Sequence, residues 1–417
     1  MRCVGKRQSK RLSKNDSGGI KYMNDSSFTV NEEGLRQALQ ALVDIDLHQA
    51  TIDLPKTLPA KGIGEHNVIA ELVPLILGGA RHLGSETAFA HMDPPTPWIT
   101  WATTMWNAAL NQNLLHPDVA PVAREIETQV VDWLKPFFGM SGGHMTPGST
   151  VANLTALWAA RELRDVKRVL ASKAAHVSLP KAAHILGLEF VALDCDASGC
   201  LDLGQLPDDL SDAAVVLTAG TTSCGAIDSL STDIDAAWVH VDAAWAGPFR
   251  LSPTYHSILD GIEKADSISV SAHKWFFQPK ESGLIFFKDV ASAHRAISFG
   301  ADYLAIPNVG LLGSHGANAV PLLATLLCWG LEGFNERISR AMGLADQLHQ
   351  FLREQSEIVV FGPNVSGVIL WRATGVAEPR ILVDRMPAGS ASTTRLAGEV
   401  WVRHVAANPN ANMAALT

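Results

Sequence analysis

Tyrosine is scarce in this chain. Only Tyr22, Tyr255 and Tyr303 occur in 417 residues, so chemistry that needs a phenol has few places to find one. Cysteine is sparse too. Cys3, Cys195, Cys200, Cys224 and Cys328 show neither metal-ligand spacing nor a disulfide framework, which leaves no metal site to expect and fits a reducing cytosol. Positive charge is in deficit, with 33 Lys and Arg against 42 Asp and Glu and a net charge of −9. Without a basic surplus, a nucleic-acid partner is not expected. No apolar run reaches the roughly 18 residues that would suggest a membrane span. What is present is 47% hydrophobic and 18% charged residues, the composition of a globular protein, in a chain long enough for two or three domains.

Ser267 to Phe277 is a short apolar, β-branched run, read as a buried strand that ends in His273-Lys274-Trp275. A lysine between two rings at the end of such a strand is an odd place for a charge, because desolvation disfavours an ammonium. It is either a surface lysine that happens to follow a strand, or an amine placed to condense with a carbonyl. Upstream, Ala236 to Val241 reads as a second apolar strand, and Asp242 stands at its end. Lys274 follows 32 residues later, room for one crossover between parallel neighbours. A carboxylate and a lysine at strand ends facing one crevice are what pyridoxal phosphate requires. The lysine takes the aldehyde, and the carboxylate keeps the pyridine nitrogen protonated so that the ring draws electrons.

Together His240-Val241-Asp242-Ala243-Ala244-Trp245 and His273-Lys274-Trp275 resemble the group II pyridoxal-phosphate-dependent amino-acid decarboxylases. The resemblance covers roughly residues 85–410. It implies the aspartate aminotransferase-like α/β fold, with a large, mostly parallel sheet domain, a small C-terminal α+β domain, and a homodimer that shares its active sites. It further implies that Lys274 holds the cofactor, that Asp242 meets the ring nitrogen, and that His176 and Ala244 enclose the ring. Ser149, Thr150, Ser271 and His273 would hold the phosphate, and Thr221 would approach the cofactor from a strand tip. Tyr303, 29 residues past the lysine, would donate a proton to the carbon left by carbon dioxide. Arg403 would meet the substrate carboxylate, and Pro95 would lie on a substrate-side loop.

The remaining chain is divided accordingly. Residues 1–28, with the basic stretch Lys6 to Lys14, read as a disordered tail or an over-extended start before Met23; a transit peptide is the less favoured alternative. Residues 29–84 show helix spacing and form an expected N-terminal arm, which in the family wraps onto the partner subunit. Residues 85–312 are the expected cofactor domain and 313–417 the small domain. Helices are expected over Trp101–Leu110, Ala120–Phe138, Ala319–Phe334 and Arg337–Gln355, and strands of the small domain over Val365–Trp371 and Ile381–Arg385.

Gly148-Ser149-Thr150 at a helix start offers free amides, a helix dipole and two hydroxyls to a phosphate; a capped helix after a flexible loop is the plain alternative. The segment departs from the family pattern, with Pro147 before Gly148 and Thr150-Val151 where Glu-Ala is common. Gly148, Ser149 and Asn153 still align. The loop Ala305 to Gly316 is shorter than usual for the family, and Gly313-Ser314-His315 is placed to reach the other subunit's phosphate. The expected reaction is α-decarboxylation of an L-amino acid to an amine. Another reaction of the same cofactor, such as transamination, aldol cleavage or oxidative deamination, or a silent cofactor-binding paralogue, are the alternatives. The sequence does not name the amino acid.

Overall fold

The structure, a computed structural model, describes residues 26–44 and 54–416; the basic stretch and Met23 lie outside them. The chain divides into two units, Met1–Arg81 and His82–Thr417. In the first, α1 (Glu32–Val43) starts at Asn31, whose side chain accepts from the Gly34 amide and satisfies an otherwise free donor. A second helix, α2 (Glu65–Leu72), runs into a π-turn over Val73–Leu77 that contains Pro74.

The second unit opens with α3 (Trp98–Leu110) and α4 (Pro121–Leu134). The α4 expected over Ala120–Phe138 ends sooner, because Pro136 cannot continue it and the chain tightens into a 3-10 turn at Lys135–Phe138. The large sheet follows, its first three strands in alternation with helices: β1 (Gly142–Thr146), α5 (Ser149–Arg164), β2 (Arg168–Ser172), α6 (Ser178–Leu186), β3 (Glu189–Leu193), then β4 (Ala213–Thr218), β5 (Trp238–Asp242), β6 (Ser267–Ser271) and β7 (Gly283–Phe287). The strand order is β1-β7-β6-β5-β4-β2-β3. Strands β6, β5, β4, β2 and β3 are parallel, and β7 runs against both β6 and β1.

Strands β4 and β6 are buried at every position; β4 reads as one apolar run, whereas β6 alternates serine with Ile268 and Val270 and buries both faces. From β5 to β6 the crossover carries no α-helix, only three 3-10 turns over Gly247–Leu251, His256–Leu259 and Ile262–Lys264. Trp245, Phe249 and Trp275 fill the space under it, with ring centroids 5.0 and 5.2 Å from Trp275.

After α7 (Val290–Ala296), the short strands β8 (Ser298–Phe299) and β9 (Asn308–Val309) pair as a hairpin. The two helices expected beyond it form one run, α8 (Ala319–Arg353), interrupted at Gly330, where φ 56° and ψ −169° lie outside helical space. The small sheet contains β10 (Ile358–Val360), β11 (Val368–Ala373), β12 (Ser392–Leu396) and β13 (Glu399–Val405), in the antiparallel order β10-β11-β13-β12. The strand expected over Ile381–Arg385 is instead a helical turn, α9 (Arg380–Val383), launched from Pro379. A proline's fixed φ suits a helix start, and nothing in the segment pairs with the sheet. The last element is the turn α10 (Met413–Leu416).

The two sheets meet through buried polar contacts as well as apolar ones. Trp245 donates from its indole nitrogen to the Ser366 carbonyl at 2.7 Å, and the Ser366 hydroxyl donates to the Gly225 carbonyl at 2.7 Å. Among the described residues no helix is long and apolar enough to cross a membrane.

Candidate active site

Strands β5 and β6 are parallel neighbours, with Asp242 in register with Ser269, so Asp242 and the turn after Ser271 emerge at the same carboxyl-end edge. That edge is where open α/β sheets place ligands. Lys274 sits in the turn, closed by the Phe277 amide donating to the Lys274 carbonyl at 2.8 Å. Phe277 has a φ of 58°, a left-handed conformation that costs a bulky residue about 1–3 kcal/mol and is tolerated where the surroundings fix it. Part of Lys274 still reaches solvent, yet burial of its amine lowers its pKa, against the opposing pull of Asp242 and Asp93. A larger share of the amine is therefore neutral and nucleophilic than for a free lysine.

Asp242 is 3% exposed and held from three directions. Asn153 on α5 donates its amide to Oδ2 at 2.9 Å, and the Ala244 amide reaches Oδ1 at 3.1 Å. The Ser269 hydroxyl lies 3.3 Å from Oδ1. Asn153 also donates to the Ser178 hydroxyl at 2.8 Å, and Ser178 meets His176 Nδ1 at 2.8 Å from its hydroxyl and 3.2 Å from its amide. Burial lowers the pKa of His176, with Asp242 opposing. The carboxylate and the histidine are thus joined through Asn153 and Ser178.

The turn expected to hold a phosphate is shaped by close backbone approach. Gly148 caps α5 at φ +123°, and a Cβ added to Gly283 would lie 2.7 Å from the Gly148 backbone. Only glycine permits that approach. The Ser271 hydroxyl meets that of Ser149 at 2.9 Å, and the His273 ring lies against Gly148. His273 is oriented by the Ser282 carbonyl at 2.9 Å from Nδ1, and burial pushes its pKa down to about 4. Thr150 is exposed on the first turn of α5. Thr221 is buried, and its hydroxyl accepts from the Ala226 amide at 3.0 Å, so it shapes the turn after β4. Ala244 is buried beside Asp242.

Arg403 on β13 reaches the same region from the small sheet. It is 7% exposed, its Nη1 donates to the Ala90 carbonyl at 3.2 Å, and its Nε has no partner among the described residues. Burial lowers its pKa to about 10, with Asp93 opposing. Asp93 forms an ion pair with Lys280. Pro95 is partly buried on the same loop, against Gly84. Tyr303 is different: it is 73% exposed in the hairpin between β8 and β9, and no contact described here joins it to Lys274. Gly313-Ser314-His315 is tied to the segment between α3 and α4, through Asn113 to the Ser314 hydroxyl at 3.0 Å and Leu114 to the His315 carbonyl at 3.0 Å.

Sequence reasoning did not assign a role to Asn153 beyond motif alignment, and it passed over Ser269, Asp93 and Ser282. A polar residue inside an otherwise apolar helix face was the signal available for Asn153. Volume is a poor guide here: a cleft of about 950 Å³ beside β1, lined by Arg124, Glu127, His144 and His315 among others, contains none of Lys274, Asp242 and Arg403.

Residues 48–373 match the pyridoxal-dependent decarboxylase conserved domain. The chain belongs to this family. It is 30% identical over 364 residues to an L-2,4-diaminobutyrate decarboxylase of Rhizobium meliloti (strain 1021), covering 79% of this chain and 73% of that one. It is 28% identical over 373 residues to tyrosine decarboxylase 2 of Narcissus pseudonarcissus, covering 76% and 73%. The fold matches that of the glutamate decarboxylase domain of a diaminobutyrate-pyruvate transaminase and L-2,4-diaminobutyrate decarboxylase from Vibrio parahaemolyticus, with a TM-score of 0.79 at 23% identity over 95% of this chain and 94% of that one. The fold of Oryza sativa TDC with PLP and tryptamine matches with a TM-score of 0.80 at 20% identity over 90% of this chain and 94% of that one.

This decarboxylase therefore acts on an amino acid with pyridoxal phosphate as cofactor. The residues present fit that group. A lysine with a lowered pKa, a carboxylate faced by donors, and a glycine-lined cup at a helix start lie along one edge. Two buried hydroxyls on that edge, Thr218 in register with Asp242 and Ser282 beside Gly283, have no partner among the described residues.

Proposed function

We propose that Lys274 holds the cofactor through its amine and that this site removes the α-carboxyl group of an L-amino acid, leaving the amine and carbon dioxide. The observation that carries the reading is the placing of Lys274 and Asp242 at the ends of adjacent parallel strands, with Asp242 fixed by Asn153 and Ala244. When bound, pyridoxal phosphate supplies an electron sink for the electrons of the breaking carbon–carbon bond. Asp242 would hold a proton at the ring nitrogen, while His176 and Ala244 enclose the ring. Gly148, Ser149, Thr150, Ser271 and His273 would bind the phosphate, with Thr221 shaping the adjoining turn. Arg403 would bind the substrate carboxylate; its unpartnered Nε supports this. Tyr303 would return a proton to the α-carbon, and its exposed position in a hairpin requires that hairpin to close or to serve a second copy of the chain.

The Asp93–Lys280 pair presents one charge of each sign near Lys274 and is open to solvent, so breaking it costs little. A substrate with a charged side chain gains a partner there and an aromatic one does not. L-2,4-Diaminobutyrate, with a second ammonium for Asp93, is the first candidate, and aspartate, with a second carboxylate for Lys280, the next. Trp98, Trp101, Trp106 and Leu110 lie exposed on α3, an apolar surface that supports a homodimer. Cys195, Cys200, Cys224 and Cys328 are all free, which supports a reducing, cytoplasmic setting.

The test is carbon dioxide release from a panel of amino acids with cofactor added. Release from one substrate, abolished in Lys274→Ala and lowered about 10²-fold or more in Tyr303→Phe, is expected. Cofactor binding without release from any member would move the reading to another reaction of the same cofactor.

A further inference from the structure

Behind Asp242 lies a second layer of polar groups that the reaction does not touch. His240 is fully buried on β5, two residues before Asp242, and points to the other side of Asn153. Its Nε2 lies 3.0 Å from the Asn153 amide oxygen, and its Nδ1 lies 2.8 Å from the Ser267 hydroxyl. That hydroxyl also accepts from the Trp238 indole at 2.8 Å.

His240 Nδ1 also lies 3.1 Å from the Ser267 carbonyl, which can only accept, so the place of the ring hydrogen is decided at Nε2. A carboxylate only accepts, so Asn153 must turn its NH2 group to Asp242. The amide oxygen then faces His240, and Nε2 must carry the hydrogen. On a neutral ring Nδ1 is left as an acceptor, and the Ser267 hydroxyl, already accepting from Trp238, has its own hydrogen free to supply. Burial pushes the pKa of His240 down to about 4, which agrees with a neutral ring near pH 7. On the far side, the second hydrogen of the Asn153 NH2 goes to Ser178, whose hydroxyl and amide both donate to His176 Nδ1. The hydrogen of a neutral His176 is thereby confined to Nε2. Ser269 also donates to the Asn153 oxygen, at 2.5 Å, but a hydroxyl rotates while an imidazole N–H does not.

We infer that His240 is a positioning residue: through Asn153 it fixes the carboxylate of Asp242, while the tautomer of His176 is set by the Ser178 amide whichever way that asparagine faces. This rests on the reading of Asp242 as the partner of the cofactor's ring nitrogen. An asparagine amide has almost the same shape in its two orientations, so its neighbours alone decide which way it faces. His240 is the fixed donor that makes the wrong orientation costly.

The test uses full-length His240→Leu, His240→Gln and Asp242→Asn proteins, measured without reference to turnover. The readouts are the dissociation constant for pyridoxal phosphate and the pH at which the absorbance of the bound cofactor changes. Glutamine places an N–H donor where Nε2–H stood; leucine fills the space without one. In His240→Leu the dissociation constant is expected to rise about tenfold or more and the absorbance transition to move in the direction seen in Asp242→Asn. In His240→Gln both should return to within about threefold of the wild type. If His240→Leu matches the wild type, or if Gln and Leu are equally impaired, the histidine only packs and the inference falls. If Asp242→Asn leaves the absorbance transition in place, the assignment of Asp242 falls first and takes the relay with it.

Discussion

Asp242 and Arg403 are almost equally buried, at 3% and 7% exposed, but their surroundings differ in kind. Two N–H groups and a hydroxyl converge on the Asp242 carboxylate, and the asparagine that supplies one of them is itself held by His240 and Ser269. Arg403 has one backbone carbonyl at 3.2 Å, a long contact to Ser392, and an Nε with nothing to bond. A buried guanidinium with an unfilled donor is costly to fold and is retained where a ligand completes it. At the proposed cofactor end the Asp242 carboxylate is finished by the chain, and at the proposed substrate end the Arg403 guanidinium is left unfinished. The first sits on parallel strands at the centre of a sheet; the second sits on an antiparallel strand that meets it from another sheet.

Breaking the group both ends share has the largest effect. Lys274→Ala is expected to abolish decarboxylation and the absorbance of lysine-bound cofactor together, read by gas release and spectrophotometry. Asp242→Asn comes next: it keeps the shape of the finished end but replaces the charge, and a fall in kcat of about 10²- to 10⁴-fold with KM little changed is expected in steady-state kinetics. Arg403→Gln acts on the unfinished end. It should raise KM about 10- to 100-fold while leaving cofactor affinity as it is, because charge-assisted hydrogen bonds to a substrate are lost and none to the cofactor.

The smallest effect concerns stability behind Arg403. His404 is buried, accepts from the Trp371 indole at 3.0 Å and donates from Nδ1 to the Ser390 carbonyl at 2.8 Å, and burial pushes its pKa down to about 4. Its folded pKa lies below the free value, so its contribution is full above about pH 6.5 and is lost as the pH falls toward 4. The loss amounts to about 3 kcal/mol when complete. Chemical denaturation at pH 7 and pH 5 should show that pH-dependent loss in the wild type and less of it in His404→Phe.

The central strands and the Lys274–Asp242 pair proposed for the cofactor were legible because buried parallel strands carry few charges, so a carboxylate ending β5 and a lysine in the turn after β6 stand out. β1 was not. Gly142-Gly143-His144 has poor strand propensity and reads as a loop, yet it pairs along its whole length with β7, so closely that a Cβ on Gly143 would fall 1.9 Å from the Ile285 carbonyl oxygen. Ile381–Arg385 was misread for the opposite reason: apolar residues suggested a strand, and Pro379 started a helical turn instead. The true sheet neighbours, Ser392–Leu396 and Glu399–Val405, are joined by the tight turn Ala397-Gly398. Asn153 shows what pattern cannot carry. Its motif could be aligned, but its four contacts reach residues 25 to 116 positions away and exist only once the sheet has formed.

The most direct test of the whole account is where the cofactor attaches. Protein incubated with pyridoxal phosphate, reduced with borohydride, digested and examined by mass spectrometry should carry the pyridoxyl group on Lys274. Labelling of Lys280 or another lysine in place of Lys274, or no labelling at all, would contradict it.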